Sequence, residues 1–88
     1  FHPTNHLRAG HFFSSQGNDA EAERCYARGF RLNRADSRLA RALATTYEAA
    51  GRLQDALWAL DTCIREGVED ADVYWQAGGL AYSLDQWE

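Results

Sequence analysis

The sequence predicts an all-α protein built from repeated helix pairs, and two observations carry that prediction. Apolar residues recur at helical spacing along the chain, and no useful length alternates with the period of a β-strand. The letters QGNDAEAERCYARGF at 16–30 also share their pattern of side-chain sizes with AGRLQDALWALDTCI at 50–64, 34 residues later. Because one helix pair cannot cover its own apolar face, such a repeat predicts units that stack on one another.

The period divides the chain into units that each hold two helices around a turn. The first unit is expected at 3–36 and the second at 37–70, with a partial third at 71–88 that holds a first helix and the start of a second. The predicted helices cover about 4–16, 19–32, 36–49, 53–66 and 70–83, and the turns fall at QGND, AGRL and LDQW.

Local signals justify where these helices begin and end. Gly17 and Gly51 stand where a helix closes in a residue of positive φ, which glycine adopts without a Cβ clash. Asn18 and Asp85 are each followed three residues on by a glutamate, which is the spacing of a capping box. Asp36 is expected to cap the third helix with its carboxylate.

Small residues recur where the two helices of a unit are expected to cross. Gly10, Ala44 and Gly78 recur on the first helices, and Ala22 and Ala56 recur on the second. Two antiparallel helices pack closely only where one of them presents Gly or Ala to a bulky side chain of the other. The bulky partners expected in the core are Phe13, Tyr26, Tyr47 and Leu60.

Composition excludes several classes of protein. The chain has 88 residues, 45% of them hydrophobic, and a single proline, as expected of one small globular domain rather than a disordered segment. No apolar run reaches the ~20 residues of a membrane span, so no membrane contact is predicted within this segment. The sequence begins with Phe1 instead of an initiator Met. Both ends are expected to be cut from a longer repeat protein. The absence of lysine suggests a GC-rich, bacterial source.

The two cysteines, Cys25 and Cys63, do not form a disulfide framework and are interpreted as small buried or half-buried thiols. They favour a reducing compartment, so the cytoplasm is preferred and the periplasm stays open.

Charge is distributed unevenly along the chain. The net charge is −4, with +3 on residues 1–41 and −7 on residues 42–88. A series of arginines in the first half suggests a basic stripe, but neighbouring acids and the acidic total favour a solvated helix face over a nucleic-acid site. The series is Arg24, Arg28, Arg31, Arg34, Arg38 and Arg41.

The units resemble the tetratricopeptide repeat, whose signature is W-x2-L-G-x2-Y, then A-x3-F, then P, over about 34 residues. The matching positions are His6-x2-Ala9-Gly10-x2-Phe13 with Ala22-x3-Tyr26, Ala40-x2-Leu43-Ala44-x2-Tyr47 with Ala56-x3-Leu60, and Tyr74-x2-Ala77-Gly78-x2-Ala81. Arg34 and Val68 replace the closing proline, and Asp19 replaces an apolar residue of the first turn. The resemblance implies a right-handed α-solenoid of about two and a half repeats.

In that family the first helices line a concave groove that binds a peptide or a helix of a partner protein, and the chain is expected to be such an interaction scaffold. Arginines suit carboxylates because they offer planar donors, and exposed aromatic residues commonly anchor partners. The groove residues implied by the resemblance are Arg8, His11, Arg38, Arg41, Thr45, Glu48, Trp75, Gln76 and Tyr82. The other interpretation is that the arginines are solvated and that Trp75 packs against a further repeat.

One subclass of the family is argued against, namely the co-chaperones that grip acidic chaperone tails with a Lys/Asn/Asn/Lys/Arg clamp. None of the matching residues here fits that clamp, and Asp72 has the wrong sign. These residues are Leu7, His11, Ala42, Asp72 and Gln76.

The alternative function is structural: a self-associating or spacing module of a larger bacterial secretion, export or enzyme complex. The basic first half and acidic second half would then steer head-to-tail association of copies, a heterologous contact that builds rings or filaments. Trp58 is expected either as an exposed contact on the outer face or as a half-buried residue between outer helices.

No catalytic residue, metal site or cofactor is predicted. Ser14 and Ser15 have no recognisable base, and no phosphate-binding glycine loop follows a strand. The histidines His2, His6 and His11 raise the question of a metal, but Pro3 argues against a helix at His2, and His6 occupies an aromatic packing position.

Overall fold

Five α-helices and no strand are found in the part of the chain that the computed structural model describes, residues 3–87 with the side chains of residues 6–85. The helices are α1 (Pro3–Ser15), α2 (Asp19–Leu32), α3 (Ser37–Ala49), α4 (Leu53–Arg65) and α5 (Ala71–Trp87). The prediction of an all-α fold is confirmed. The boundaries of the first four helices agree with the sequence to within one or two residues.

Glycines of positive φ end α1 and α3, as predicted. Gly17 has φ +78° and Gly51 has φ +77°. After Gly17, the Asn18 N–H donates to the Phe13 carbonyl at 2.8 Å, while Gly17 N–H donates to Ser14 at 3.0 Å. This is the Schellman pattern, and it satisfies carbonyls that the last turn of a helix leaves unpaired.

A third glycine of this kind closes α4 and was not predicted. Gly67 has φ +94°, and its N–H donates to the Ile64 carbonyl at 3.0 Å. It does not recur with the 34-residue period, so a comparison of the units does not reveal it. Its place directly after the last turn of α4 is the local signal that indicates a closing residue.

Side-chain caps fix the beginnings of three helices. Asn18 accepts from the Glu21 N–H at 3.4 Å, and Asp36 accepts from the Arg38 N–H at 3.0 Å, as predicted. Asp70 begins α5 in the same manner and accepts from the Asp72 N–H at 2.9 Å. A hydrogen bond from Ser37 at the start of α3, followed by the bond from Asp72, lowers the pKa of Asp70 below its ordinary value. Asp70 therefore ties the beginnings of α3 and α5 together.

The predicted turn at LDQW is wrong, because α5 continues through it to Trp87 instead of ending at 83. Asp85 lies inside the helix and is not an N-cap, and its capping partner Glu88 lies outside the described residues. The position that matches Gly17 and Gly51 is Asp85 itself. Aspartate adopts positive φ less readily than glycine, so the signal that ends α1 and α3 is missing here.

Each helix packs against the next one along the chain, and α3 also contacts both α1 and α5. The buried core includes the predicted Tyr26, Tyr47 and Leu60, whereas Phe13 is only half buried. Close crossing depends on a small residue in α1: a Cβ on Gly10 would lie within 2.7 Å of three ring atoms of Tyr26. In the first two units the small residues Gly10, Ala22, Ala44 and Ala56 are all buried, as close helix crossings require.

The third unit differs in this respect. Gly78 matches Gly10 and Ala44 in the period, yet a Cβ added there would meet nothing within 4 Å. Tyr74, one turn earlier on α5, is 48% exposed. One face of α5 is therefore uncovered in the part of the chain that the structure describes.

Candidate functional site

Helix α3 contacts both α1 and α5, and a cleft lies between α3 and each of them. An α1–α3 cleft of about 320 Å³ is lined by Leu7, His11, Arg38, Arg41, Ala42 and Thr45. An α3–α5 cleft of about 540 Å³ is lined by residues that include Arg41, Thr45, Glu48, Asp72, Trp75 and Gln76. Because Arg41 and Thr45 belong to both linings, the two clefts form one continuous feature, called the groove below.

The α1–α3 cleft is basic, and a hydrogen bond holds its lining residue His11 in place. The Tyr26 hydroxyl and Nδ1 of His11 are hydrogen-bonded at 2.8 Å, and their rings meet edge to face at 5.6 Å. Burial raises the pKa of the Tyr26 hydroxyl above its ordinary value. Arg38 lies 3.5 Å from the Asp36 carboxylate and its side chain is 63% exposed. The contact is made through Nε to a carboxylate that is only 12% exposed, and the other donors of the guanidinium are left for a ligand.

The α3–α5 cleft is held together by one amide. Nε2 of Gln76 donates to Oε2 of Glu48 at 2.8 Å and to Oγ1 of Thr45 at 3.3 Å. A looser ion pair joins Arg41 to Asp72 at 3.6 Å. These contacts connect α3 to α5 across the groove floor and fix the Glu48 carboxylate in the cleft.

Trp75 stands at the rim of the α3–α5 cleft with 84% of its surface exposed. The alternative, that Trp75 packs against a further repeat, stays a prediction. A large exposed indole beside carboxylates offers both an apolar face and a π-system to a ligand.

Seven of the nine residues expected in the groove line it, namely His11, Arg38, Arg41, Thr45, Glu48, Trp75 and Gln76. Arg8 and Tyr82 are exposed but belong to neither lining. Arg8 directly follows the lining residue Leu7, and Tyr82 directly precedes the lining residue Ser83. Successive side chains of an α-helix point about 100° apart around its axis, so Arg8 and Tyr82 point in a different direction from these lining residues. The structure therefore does not bring these two together with the other seven.

The lining also contains a residue that the resemblance did not indicate. Leu53 begins α4, yet it borders the α3–α5 cleft together with Leu80. The resemblance assigns groove residues to first helices alone, so it gives no reason to expect a residue of a second helix. The Gln76 amide bridge was not predicted because hydrogen bonds between residues about 30 positions apart leave no local signal.

On α4, Trp58 is both exposed and in contact with a residue of another helix, so each of its two expectations is met in part. Its side chain is 53% exposed, and its ring meets the Phe30 ring edge to face with centroids 6.0 Å apart. Nearby, Arg52 bonds Glu23 and Asp55, each at 2.8 Å, and its guanidinium lies 4.5 Å from the centre of the Tyr47 ring. This cluster connects α2 to the start of α4 and was not predicted.

Comparison of the chain with protein-family models, with curated proteins and with solved structures gives no match. The likeness to the tetratricopeptide repeat therefore stands on the residues quoted above. Within residues 3–87, no helix is long and apolar enough to cross a bilayer. In the same part of the chain, no three His, Cys, Asp or Glu side chains gather as metal ligands would, and His2 of the histidine set lies outside it.

Proposed function

We propose that this chain is a protein-interaction scaffold whose groove binds an extended peptide or a helix of a partner protein. The observation that carries the proposal is the continuous lining across α1, α3 and α5, which combines exposed arginines with an exposed tryptophan. Arg and Trp are the residue types that most often dominate binding energy at protein interfaces.

We also propose that the helix pairs stack as in a tetratricopeptide solenoid. The contacts of each helix with its neighbour along the chain, and of α3 with both α1 and α5, support this arrangement. In such a stack the first helices of successive units share one side, which is the side that carries the groove.

The test is a search for peptides whose binding depends on the groove. A phage-displayed library of random peptides of about twelve residues is panned on the chain, and retained peptides are measured by fluorescence anisotropy. Arg41→Glu and Trp75→Ala are each expected to weaken binding by about tenfold or more, equivalent to about 1.4 kcal/mol.

The matched controls for these variants are Arg24→Glu and Trp58→Ala, since Arg24 pairs with Glu21 on α2 and Trp58 lies on α4. Both controls are expected to leave the affinity within about twofold. Peptides that bind all five proteins equally would contradict the groove as the binding site.

A second function is favoured by the uncovered face of α5. Tyr74 and Gly78 offer a large ring beside an open glycine, whereas the matching Gly10 is filled by Tyr26. We propose that a helix of another copy packs there, so that the chain acts as a structural self-association module.

Sedimentation across a range of concentrations tests this second function. The weight-average mass is expected to rise with concentration in the wild-type chain and to stay at the monomer value in Gly78→Arg. A wild-type monomer at every concentration and salt would contradict self-association.

A further inference from the structure

The groove has opposite charge at its two ends. Among the residues whose side chains are described, the α1–α3 cleft is lined by Arg38 and Arg41 beside His11 and by no acidic side chain. In the same part of the chain, the α3–α5 cleft is lined by Glu48 and Asp72, with Arg41 at the boundary as its basic residue. A ligand that crosses both clefts therefore meets cations on one side of α3 and carboxylates on the other.

The carboxylate of Glu48 is positioned and partly free. Its Oε2 accepts the Gln76 amide at 2.8 Å, which fixes the carboxylate and leaves Oε1 to accept from a ligand. Asp72 is bound less tightly, because 3.6 Å to Arg41 exceeds a good hydrogen-bond length and the two side chains are 70% and 45% exposed. A ligand can exchange partners with this pair at little cost.

Trp75 completes the acidic end of the groove as a site for a cation. Its exposed indole borders the same cleft as Glu48 and Asp72. A guanidinium or ammonium within about 6 Å of an indole face is attracted by the ring quadrupole, and nearby carboxylates strengthen that attraction. Arginine suits the place better than lysine because its planar group both stacks and bonds a carboxylate.

The spacing of the two ends defines the ligand further. Packed helices lie about 8–10 Å apart, and the two clefts lie on either side of α3. In an extended polyproline II segment, residues i and i+3 project on the same side and are about 9 Å apart. An i,i+3 spacing is therefore the spacing to test for a ligand that crosses α3.

We propose that the groove selects an extended segment that carries charges of both signs about three residues apart. The acidic residue lies against Arg38 and Arg41, and the arginine or lysine lies against Trp75 and Glu48. This inference rests on the proposed peptide-binding function and names the chemistry of its ligand. A ligand of a single sign is disfavoured, because an all-acidic chain meets Glu48 and an all-basic chain meets Arg38.

The experiment uses four labelled peptides of equal length whose charged residues differ. One peptide has acid and arginine at i and i+3, and one has the same residues next to each other. The remaining two are all acidic and all basic. In fluorescence anisotropy at moderate salt, the i,i+3 peptide is expected to bind the wild-type chain at least about tenfold tighter than either single-sign peptide.

Charge reversal sharpens the test because each variant is expected to change which peptide binds best. Arg38→Glu should shift the preference to the all-basic peptide, and Glu48→Arg should shift it to the all-acidic one. The double variant should again prefer mixed charge. Glu48→Gln, which can still accept from the Gln76 amide, should lose the preference without loss of structure, and circular dichroism checks the fold of each variant.

Two results would overturn the inference, and only the second of them would also contradict the proposed function. If peptides from the panned library bind through the groove but the reversals do not change the charge preference, the groove function stands and the polarity is wrong. If neither the panned nor the designed peptides bind, the proposed function fails together with the inference.

Discussion

Phe30→Ala is expected to destabilise the chain by about 3–5 kcal/mol, because it removes a large ring from the centre of the core. Phe30 is 1% exposed, lies on α2 and meets Trp58 of α4, so its ring fills the space between two helices of different units. Truncation removes the buried area and leaves a cavity that the surrounding helices cannot close. At roughly 4–8 °C per kcal/mol for a domain of this size, the melting temperature should fall by more than about 12 °C.

The matched control is Phe12→Ala, because Phe12 is 59% exposed on α1. Its ring lies 5.5 Å from that of Phe13, so the substitution removes an aromatic contact but little buried area. Its cost is expected to stay below about 1 kcal/mol, as is usual for substitutions at the surface. Thermal and urea unfolding followed by circular dichroism measure both variants, and equal losses would contradict the assignment of Phe30 to the core.

Gly10→Ala is expected to destabilise the chain by about 2 kcal/mol, although alanine is the better helix former by about 1 kcal/mol. The added methyl would lie within 2.7 Å of three atoms of the Tyr26 ring. Tyr26 is 3% exposed and its hydroxyl is bonded to His11, so the ring has no cheap way to move aside. The cost of overpacking therefore exceeds the gain in helix propensity.

Gly78→Ala is expected to stabilise the chain, although Gly78 is the position of the third unit that matches Gly10. No atom lies within 4 Å of a Cβ placed there, so only the helix propensity of the residue changes. We expect this variant to be more stable than the wild type by about 0.5–1 kcal/mol in urea unfolding. The same sign for both substitutions would show that α1 and α2 do not cross closely at Gly10.

Much of the fold was predictable because its determinants are local. The closing glycines Gly17 and Gly51 and the caps Asn18 and Asp36 act within one turn of the chain, and each is visible as a residue type at a fixed offset. The error at α5 has the same origin. The period predicted a turn near Asp85, but the glycine that ends the other first helices is missing there.

The candidate site was predictable only as a set of positions. The period places His11, Arg41 and Trp75 on first helices, and the structure puts all three along the groove. The hydrogen bonds between groove residues were not predictable. Gln76 bonds to Thr45 and Glu48, which lie far from it in the sequence, and no local pattern indicates such a contact. The charge polarity of the groove follows from which charged residues line each cleft, and that assignment required the structure.

The bond between Tyr26 and His11 ties one exposed wall residue of the groove to a buried residue of the core. If His11 rotated to follow a ligand, the part-buried Tyr26 hydroxyl would lose its partner, at a cost of about 1–3 kcal/mol. The imidazole is thus locked in place before any ligand arrives. Adaptation to different ligands must then come from Trp75 on α5 and from the long exposed arginines of α3, so the groove is stiff at His11 and pliable at these side chains.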